Sequence, residues 1–441
     1  MRHVVYCSIP GLRQSDLSQM PALSALTATG DQQPLRSTFP AVTWPAQATM
    51  LTGKTPSEHG VIANGFYWRE EQKVEMWTAW NDKIQAPQIW DRLHAISPDL
   101  TSAVWFPMLS KGCGADWICM PAPVHNPDGS ESLWCYTKPT QLYGELLESL
   151  DHFPLKHFWG PLSNIQSTEW IIRSAVQAIS KNQPRFSFLY LPHLDYAAQK
   201  QGPNSTEALA AVKELDTVIQ VLADGVHAAL DPVEVTWVFA SEYVISEVNH
   251  VTYPNQILRD AGLLQVRVED DGEHLDLNSS AWALVDHQFS HVFIKDADPA
   301  VIQRVQQLFK SVDGIAEVLT VEKQAERGLA HERSGELMLI STSNSWQAYY
   351  WWLQDDACPA FARTVDIHRK PGYDPVELYF DRATRSTPLD ATLICGSHGV
   401  PSADQDQQSV IVSNNPDLLQ GRSWSDLDLA EMLIAEVCRE D

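Results

Sequence analysis

The stretch 3–9, HVVYCSI, is apolar almost throughout and stops at Pro10-Gly11. A strand with one face in water alternates apolar and polar side chains. This one does not, which is the pattern of a parallel strand covered on both faces. Runs of the same kind stand at 101–106 (TSAVWF), 186–191 (FSFLYL), 235–240 (VTWVFA) and 391–396 (ATLICG). Between them lie segments of helical periodicity, 167–181 (STEWIIRSAVQAISK) and 206–230 (TEALAAVKELDTVIQVLADGVHAAL). Strand and helix in alternation predict an α/β fold: a doubly wound, mostly parallel sheet flanked by helices, with its chemistry in the loops after the strands.

From about Leu263 to Thr342 the texture changes to HVFIK, DPAVIQRVQQLFKSV, IAEVLT, VEKQAERGL and ELMLIS. This reads as strand-helix-strand-helix-strand, an α+β cap subdomain over 263–342 inserted into a core formed by 1–262 and 343–441. The apolar run ATLICG marks the return to the main sheet.

The chain of 441 residues carries a net charge of -25, so most of its surface repels a phosphate-rich polymer. A small phosphorylated metabolite is the expected partner, with no nucleic acid polymer, and a bound cation can reverse the potential locally. No stretch has the length of a membrane span, and the N-terminal run is too short for a secretory segment. The seven cysteines are scattered without CxxC spacing, which predicts reduced thiols in a cytoplasm. A homo-oligomer is compatible with all of this.

The segment 38–67, TFPAVTWPAQATMLTGKTPSEHGVIANGFY, resembles the nucleophile segment of the nucleotide pyrophosphatase/phosphodiesterase family of the alkaline-phosphatase superfamily. There a Thr before an aromatic-Pro pair opens a helix and a Gly-x-x-Pro-x-x-His-Gly run follows. Thr43 falls on the nucleophile, with Trp44 and Pro45 after it and Gly53, Pro56, His59, Gly60 and Asn64 downstream. Pro45 suits a first helical turn, and a helix N-terminus favours a phosphoryl oxygen. A Thr in this place is also an ordinary helix cap. The resemblance implies an alkaline-phosphatase-like core and substrate contacts from Ala46, Tyr243 and His59.

The family binds two zinc ions, and the remaining motifs depart from its pattern. Where the first strand leads into an Asp ligand, SIPGLR has Pro10. YLPHLDYAAQKQGP keeps Asp195 but has Gln199 for a His; VFASEYVIS has Glu242 for an Asp and Tyr243 for a His; CGSHGVP keeps His398. One metal position therefore retains Asp195 and His398 as ligands, with the amide oxygen of Gln199 as a weak third. The other, implied at Pro10, Glu242 and Tyr243, loses ligand types: Glu242 can still bind a metal, but Pro cannot and Tyr is uncommon on zinc. Asp366 and His368, at i and i+2 in ARTVDIHRKPGYDPVEL, would share one face of an extended strand and could supplement the shell. His287 and His291 in ALVDHQFSHVFI fit an exposed helix face or a strand entering the cap equally well. The aromatic run WQAYYWWLQ could shape a leaving-group pocket or belong to the core.

The resemblance implies a divalent-metal phosphoric ester hydrolase, with one or two zinc ions, acting on a small phosphodiester, nucleotide-like or phosphonate-like metabolite through Thr43. A catalytically impaired relative that binds a phosphorylated ligand or a partner protein is the alternative. Transferase or isomerase chemistry on phosphate or sulfate is a third reading, because a fold alone does not select the reaction.

Overall fold

Nine strands make the main sheet of the computed structural model, which describes residues 2–125, 131–401 and 408–439. In chain order the strands are β1 (His3–Ser8), β2 (Asp31–Arg36), β3 (Ser102–Trp105), β4 (Trp117–Pro121), β5 (Cys135–Lys138), β6 (Phe186–Tyr190), β7 (Val235–Ala240) and, after the second sheet, β12 (Ser409–Ser413) and β13 (Trp424–Ser425). They lie in the order β13-β2-β12-β7-β1-β6-β3-β4-β5. β1 sits between two parallel neighbours, with Val4 opposite both Phe186 and Thr236, and all of its residues are buried. Helices cover the sheet in two groups. One joins α2 (Ile165–Asn182), α3 (His193–Gln201) and α4 (Thr206–Ala229); the other joins α1 (Thr43–Thr52) and α6 (Leu429–Cys438). The α/β architecture is the one the apolar runs imply.

One run does not become a strand of this sheet. Residues 391–393 form a short 3-10 turn, because Asp390 accepts hydrogen bonds from both Thr392 N and Thr392 Oγ1. Gly396–Ser397 then pairs with Ser246–Glu247 outside the main sheet. The place beside β7 goes instead to β12, antiparallel, with Val412 opposite Phe239. A local Asp cap outweighs the apolar pattern there.

A second sheet of four antiparallel strands lies between β7 and β12 in the chain: β8 (Ala281–Asp286), β9 (Phe289–Ile294), β10 (Ile315–Thr320) and β11 (Leu337–Ser341), ordered β8-β9-β11-β10. Helix α5 (Pro299–Phe309) packs on it through Val305 and Phe309. Its hydrophobic cluster also takes in Tyr67, Met76 and the aromatic run Tyr349–Trp352, so the packing of this unit extends beyond the strands themselves. Trp282 is buried there between Tyr67 and Phe293, and truncating such a side chain to Ala costs ~3–5 kcal/mol. The tight β8–β9 turn holds His287 at φ +56, buried rather than exposed. That turn points the second sheet's edge at the strand ends of the first, where Gln288 N bonds His398 O and Tyr373 N bonds Val285 O.

Candidate active site

Parallel strands β7, β1 and β6 end along one edge of the sheet, and the residues that follow them meet helix α1. Thr43 is the first residue of that helix. Trp44 N donates to Asn64 Oδ1 at 3.0 Å, Pro45 has no N–H, and Ala46 N returns to Val42 O. Asn64 is itself held from behind: its N and Nδ2 donate to Asp286 at 2.7 and 3.1 Å, and Asp286 accepts from His287 Nδ1 at 2.5 Å. Two distant segments thereby set the first turn of α1.

Thr43 Oγ1 lies 3.0 Å from Tyr243 Oη. The Tyr243 ring stacks on the imidazole of His398, 3.7 Å between centroids and 5° between planes. His398 Nδ1 is 2.9 Å from Ala41 O. A carbonyl only accepts, so the proton is on Nδ1 and Nε2 carries a bare lone pair. Burial and the adjacent His287 keep the ring neutral, well below the usual histidine range. That Nε2 has no hydrogen-bond partner, and neither has Asp195 Oδ1, 3.9 Å away. Burial pushes the Asp195 carboxyl up to about 7. Buried polar atoms without partners are rare in folded proteins and mark places where something else binds.

These two atoms fit a metal position. Both are lone-pair donors of the right chemistry, and binding a cation would hold Asp195 ionised and use the free Nε2. Gln199 stands beside them, fully buried, with Oε1 taken by Tyr373 Oη at 2.7 Å and Nε2 unpartnered. The other position does not fit. Pro10 contributes no donor; Tyr243 is engaged by Thr43 and His398; and Glu242 Oε1 already accepts from Ser8 Oγ at 2.8 Å and Gln47 Nε2 at 2.9 Å. Only Glu242 Oε2 is left without a partner, and burial raises that carboxyl to about 8. Among the described residues the sole trio of His, Cys, Asp or Glu donor atoms within 4.8 Å is Glu269, Asp271 and His274, exposed or half-buried on a separate hairpin.

Asp366 and His368 do not join the group. The segment is a turn rather than an extended strand, so i and i+2 do not share a face. Asp366 is spent on Arg369 (3.2 Å), His368 faces Met76 O at 3.4 Å, and the side chain between them, Ile367, lines the cavity beside Thr43. His59 is wholly buried, with Nε2 3.1 Å from Thr49 Oγ1 and Nδ1 accepting from Val61 N; burial lowers it to about 3. Both nitrogens therefore serve the α1 connection. Ala46 is buried inside α1.

The cavity itself has a volume of about 80 Å³ and an aromatic wall: Trp77, Phe158, Trp159, Tyr190, Tyr196 and Tyr373, together with Asp195 and His287. None of the WQAYYWWLQ aromatics lines it; they are core. The wall comes from five separated places: Trp77, Phe158 with Trp159, the end of β6 at Tyr190, helix α3 at Tyr196, and Tyr373. No run or period in the sequence signals it. His287 was legible only as one of two alternatives, because a residue within a tight turn carries no helical or strand periodicity.

Comparison with known proteins places this geometry. A family model for type I phosphodiesterase / nucleotide pyrophosphatase matches residues 4–374. An uncharacterized pyrophosphatase/phosphodiesterase of Schizosaccharomyces pombe is 24% identical over 252 residues, 54% of this chain; the chain spans 44% of that curated relative's length. The fold is shared with phosphonoacetate hydrolase of Sinorhizobium meliloti 1021, solved with phosphonoformate (TM-score 0.63, 15% identity, 99% of this chain and 96% of that one). It is shared too with an inactive form of murine ectonucleotide pyrophosphatase / phosphodiesterase 5 in complex with AMP (TM-score 0.65, 13% identity, 99% and 95%).

Proposed function

The chain belongs to the type I phosphodiesterase / nucleotide pyrophosphatase family, and from that premise we propose that it hydrolyses a small phosphodiester or related phosphonate through Thr43. The observation that carries this is the convergence, at the opening of α1, of the Thr43 hydroxyl with a buried carboxylate and imidazole whose facing atoms have no protein partner. Thr43 Oγ1 attacks phosphorus, the bond to the leaving oxygen breaks, and water then cleaves the phosphothreonine, so that one hard displacement becomes two easier ones. Tyr243 Oη, at 3.0 Å and held protonated by burial, orients the Thr43 hydroxyl, and the Thr43 proton departs on the leaving oxygen. Asp195 and His398, with Gln199 beside them, would hold one divalent metal, zinc by the donor types, which supplies charge neutralisation for the phosphoryl oxygens. Asn64 positions the α1 N-terminus, and the aromatic cavity receives the leaving group.

A cytoplasmic location is consistent with seven free thiols, and no helix among the described residues is long and apolar enough to cross a membrane. The second reading, a binding protein with impaired catalysis, is favoured by one observation: Glu242 and Tyr243 are tied into the protein's own hydrogen bonds where a second metal would need them. Turnover of bis-p-nitrophenyl phosphate by the purified protein separates the two. Turnover that disappears in Thr43→Ala supports hydrolysis, and a wild type without turnover that still binds inorganic phosphate supports the binding protein.

A further inference from the structure

A second cavity, of about 510 Å³, is separate from the one beside Thr43: Tyr243 and Ala41 line it, Thr43 does not, and the two have no lining residue in common. It lies where the edge strands β2 and β13 run side by side, with Leu35 opposite Trp424. Its charge is opposite to that of the chain. In a protein of net charge -25, the described residues lining this cavity include Arg36 and Arg422 and neither Asp nor Glu.

The two guanidinium groups are largely unspent. Arg36 makes no hydrogen bond or ion pair among the described residues. Asp426, the acid that feels its charge, is buried and already accepts from Thr38 N and Oγ1. Arg422 lies 3.9 Å over the Trp424 ring, which fixes its plane. Its one acid, Asp428, stands 3.6 Å away in a half-exposed pair, and such pairs are worth little. Forked donors without acceptors suit the oxygens of a phosphate, and two positive charges favour a dianion over a monoanion. A phosphodiester carries one negative charge; a phosphate monoester carries nearly two at neutral pH. Leu35, Val244 and Val400 give the cavity apolar walls, and its volume leaves room for the organic part of an ester.

We infer that this cavity binds a phosphate monoester dianion, the class of product that the proposed hydrolysis releases, at a site separate from Thr43. The inference rests on the hydrolase reading only for the word product; the site itself stands on the two guanidinium groups and the acid-free lining. Its position gives it a hold on the nucleophile. Tyr243 Oη is 3.0 Å from Thr43 Oγ1 and Ala41 O accepts from His398 Nδ1 at 2.9 Å, so a bound monoester rests against two residues that orient the reacting groups. It therefore slows turnover without competing for Thr43.

The test is calorimetric titration of the whole protein, and of His398→Ala, which weakens the cation position near Thr43, with phenyl phosphate and with phenol. In both proteins phenyl phosphate is expected to bind at least about tenfold more tightly than phenol. Adding Arg36→Gln with Arg422→Gln to His398→Ala removes that preference, while Arg36→Lys with Arg422→Lys, which keeps the charges, retains part of it. Equal binding of the two probes by the wild type overturns the proposal whatever the variants do, and so does a preference in His398→Ala that survives the paired Gln substitutions. Kinetics give a readout that needs no His398 variant: phenyl phosphate should lower kcat for bis-p-nitrophenyl phosphate in the wild type and not in Arg36→Gln with Arg422→Gln, whose basal turnover is unchanged. Purely competitive inhibition, equal in the two proteins, places the monoester at Thr43 and overturns the separate site. Monoester selectivity without any phosphodiesterase turnover would uphold the site and remove the hydrolase; turnover without monoester selectivity would do the reverse.

Discussion

The two sides of the cleft below Thr43 are built from the ends of neighbouring strands, yet they treat their polar atoms in opposite ways. After β6, Asp195 Oδ1 and the facing His398 Nε2 are buried with nothing to bond. At the ends of β1 and β7, Ser8, Glu242 and Tyr243 bond mostly to one another, to Gln47 of α1 or to Thr43. An unpartnered buried polar atom costs ~1–3 kcal/mol, so two of them 3.9 Å apart are the cost that a bound cation would relieve. Apart from Glu242 Oε2, that network is satisfied and holds its shape by its own hydrogen bonds. Pro10 contributes no donor to this side.

The largest effect that can break this comparison is at Thr43, which faces both sides. Thr43→Ala should lower kcat for bis-p-nitrophenyl phosphate by roughly 10³-fold or more, with a circular-dichroism melting curve close to the wild type's, because only a hydroxyl and a methyl are lost. Turnover unchanged in this variant would remove Thr43 from the mechanism.

His398→Ala probes the open side. Elemental analysis of the wild type should find about one zinc per chain, and the variant should bind it at least ~100-fold more weakly, as one imidazole is a large part of so small a shell. Gln199→His should act in the other direction and tighten it. Two metals in the wild type would mean that the closed side also binds an ion and that the contrast is false.

The closed side is tested by reopening it. Pro10→Asp combined with Tyr243→His restores carboxylate and imidazole in place of a residue without a donor and a phenol already in use; metal content should rise from about one toward two per chain. Restored content accompanied by lower phosphodiesterase turnover would show that Tyr243 itself works on Thr43.

The smallest effect concerns protons. Burial raises Glu242 from 4.5 to about 8 in the folded chain, while the unfolded carboxyl keeps its ordinary value. Between those limits the folded state binds more protons, so this contribution to stability is complete below 4.5 and is lost as pH rises through about 8. The Tm of metal-stripped protein should therefore fall over that interval, and Glu242→Gln, which keeps the acceptor for Ser8 and Gln47, should flatten the fall by a few degrees. Identical slopes in the two proteins would show that Glu242 is ionised and solvated, hence available to a ligand.

What could be read from the chain and what could not divides along physical lines. Strands β1, β3, β6 and β7 were legible because a strand buried on both faces must be apolar along its length, a property each residue carries by itself. The same rule misread 391–396, where Asp390 caps a turn that the apolar run does not announce. Thr43 and its helix were legible from the motif, as were Asp195 and His398, since each follows a strand end in sequence. The sequence by itself thus determined the strands of the sheet, the helix that Thr43 opens and which donor types are present. Only the tertiary structure decided that Glu242 is spent on Ser8 and Gln47, that His368 turns to Met76, that His287 supports Asn64 through Asp286, and that aromatics from positions 77 to 373 form one wall. Those outcomes depend on which lone pairs and ring faces meet across the fold, and a side chain's type does not say whether its partners will already be taken.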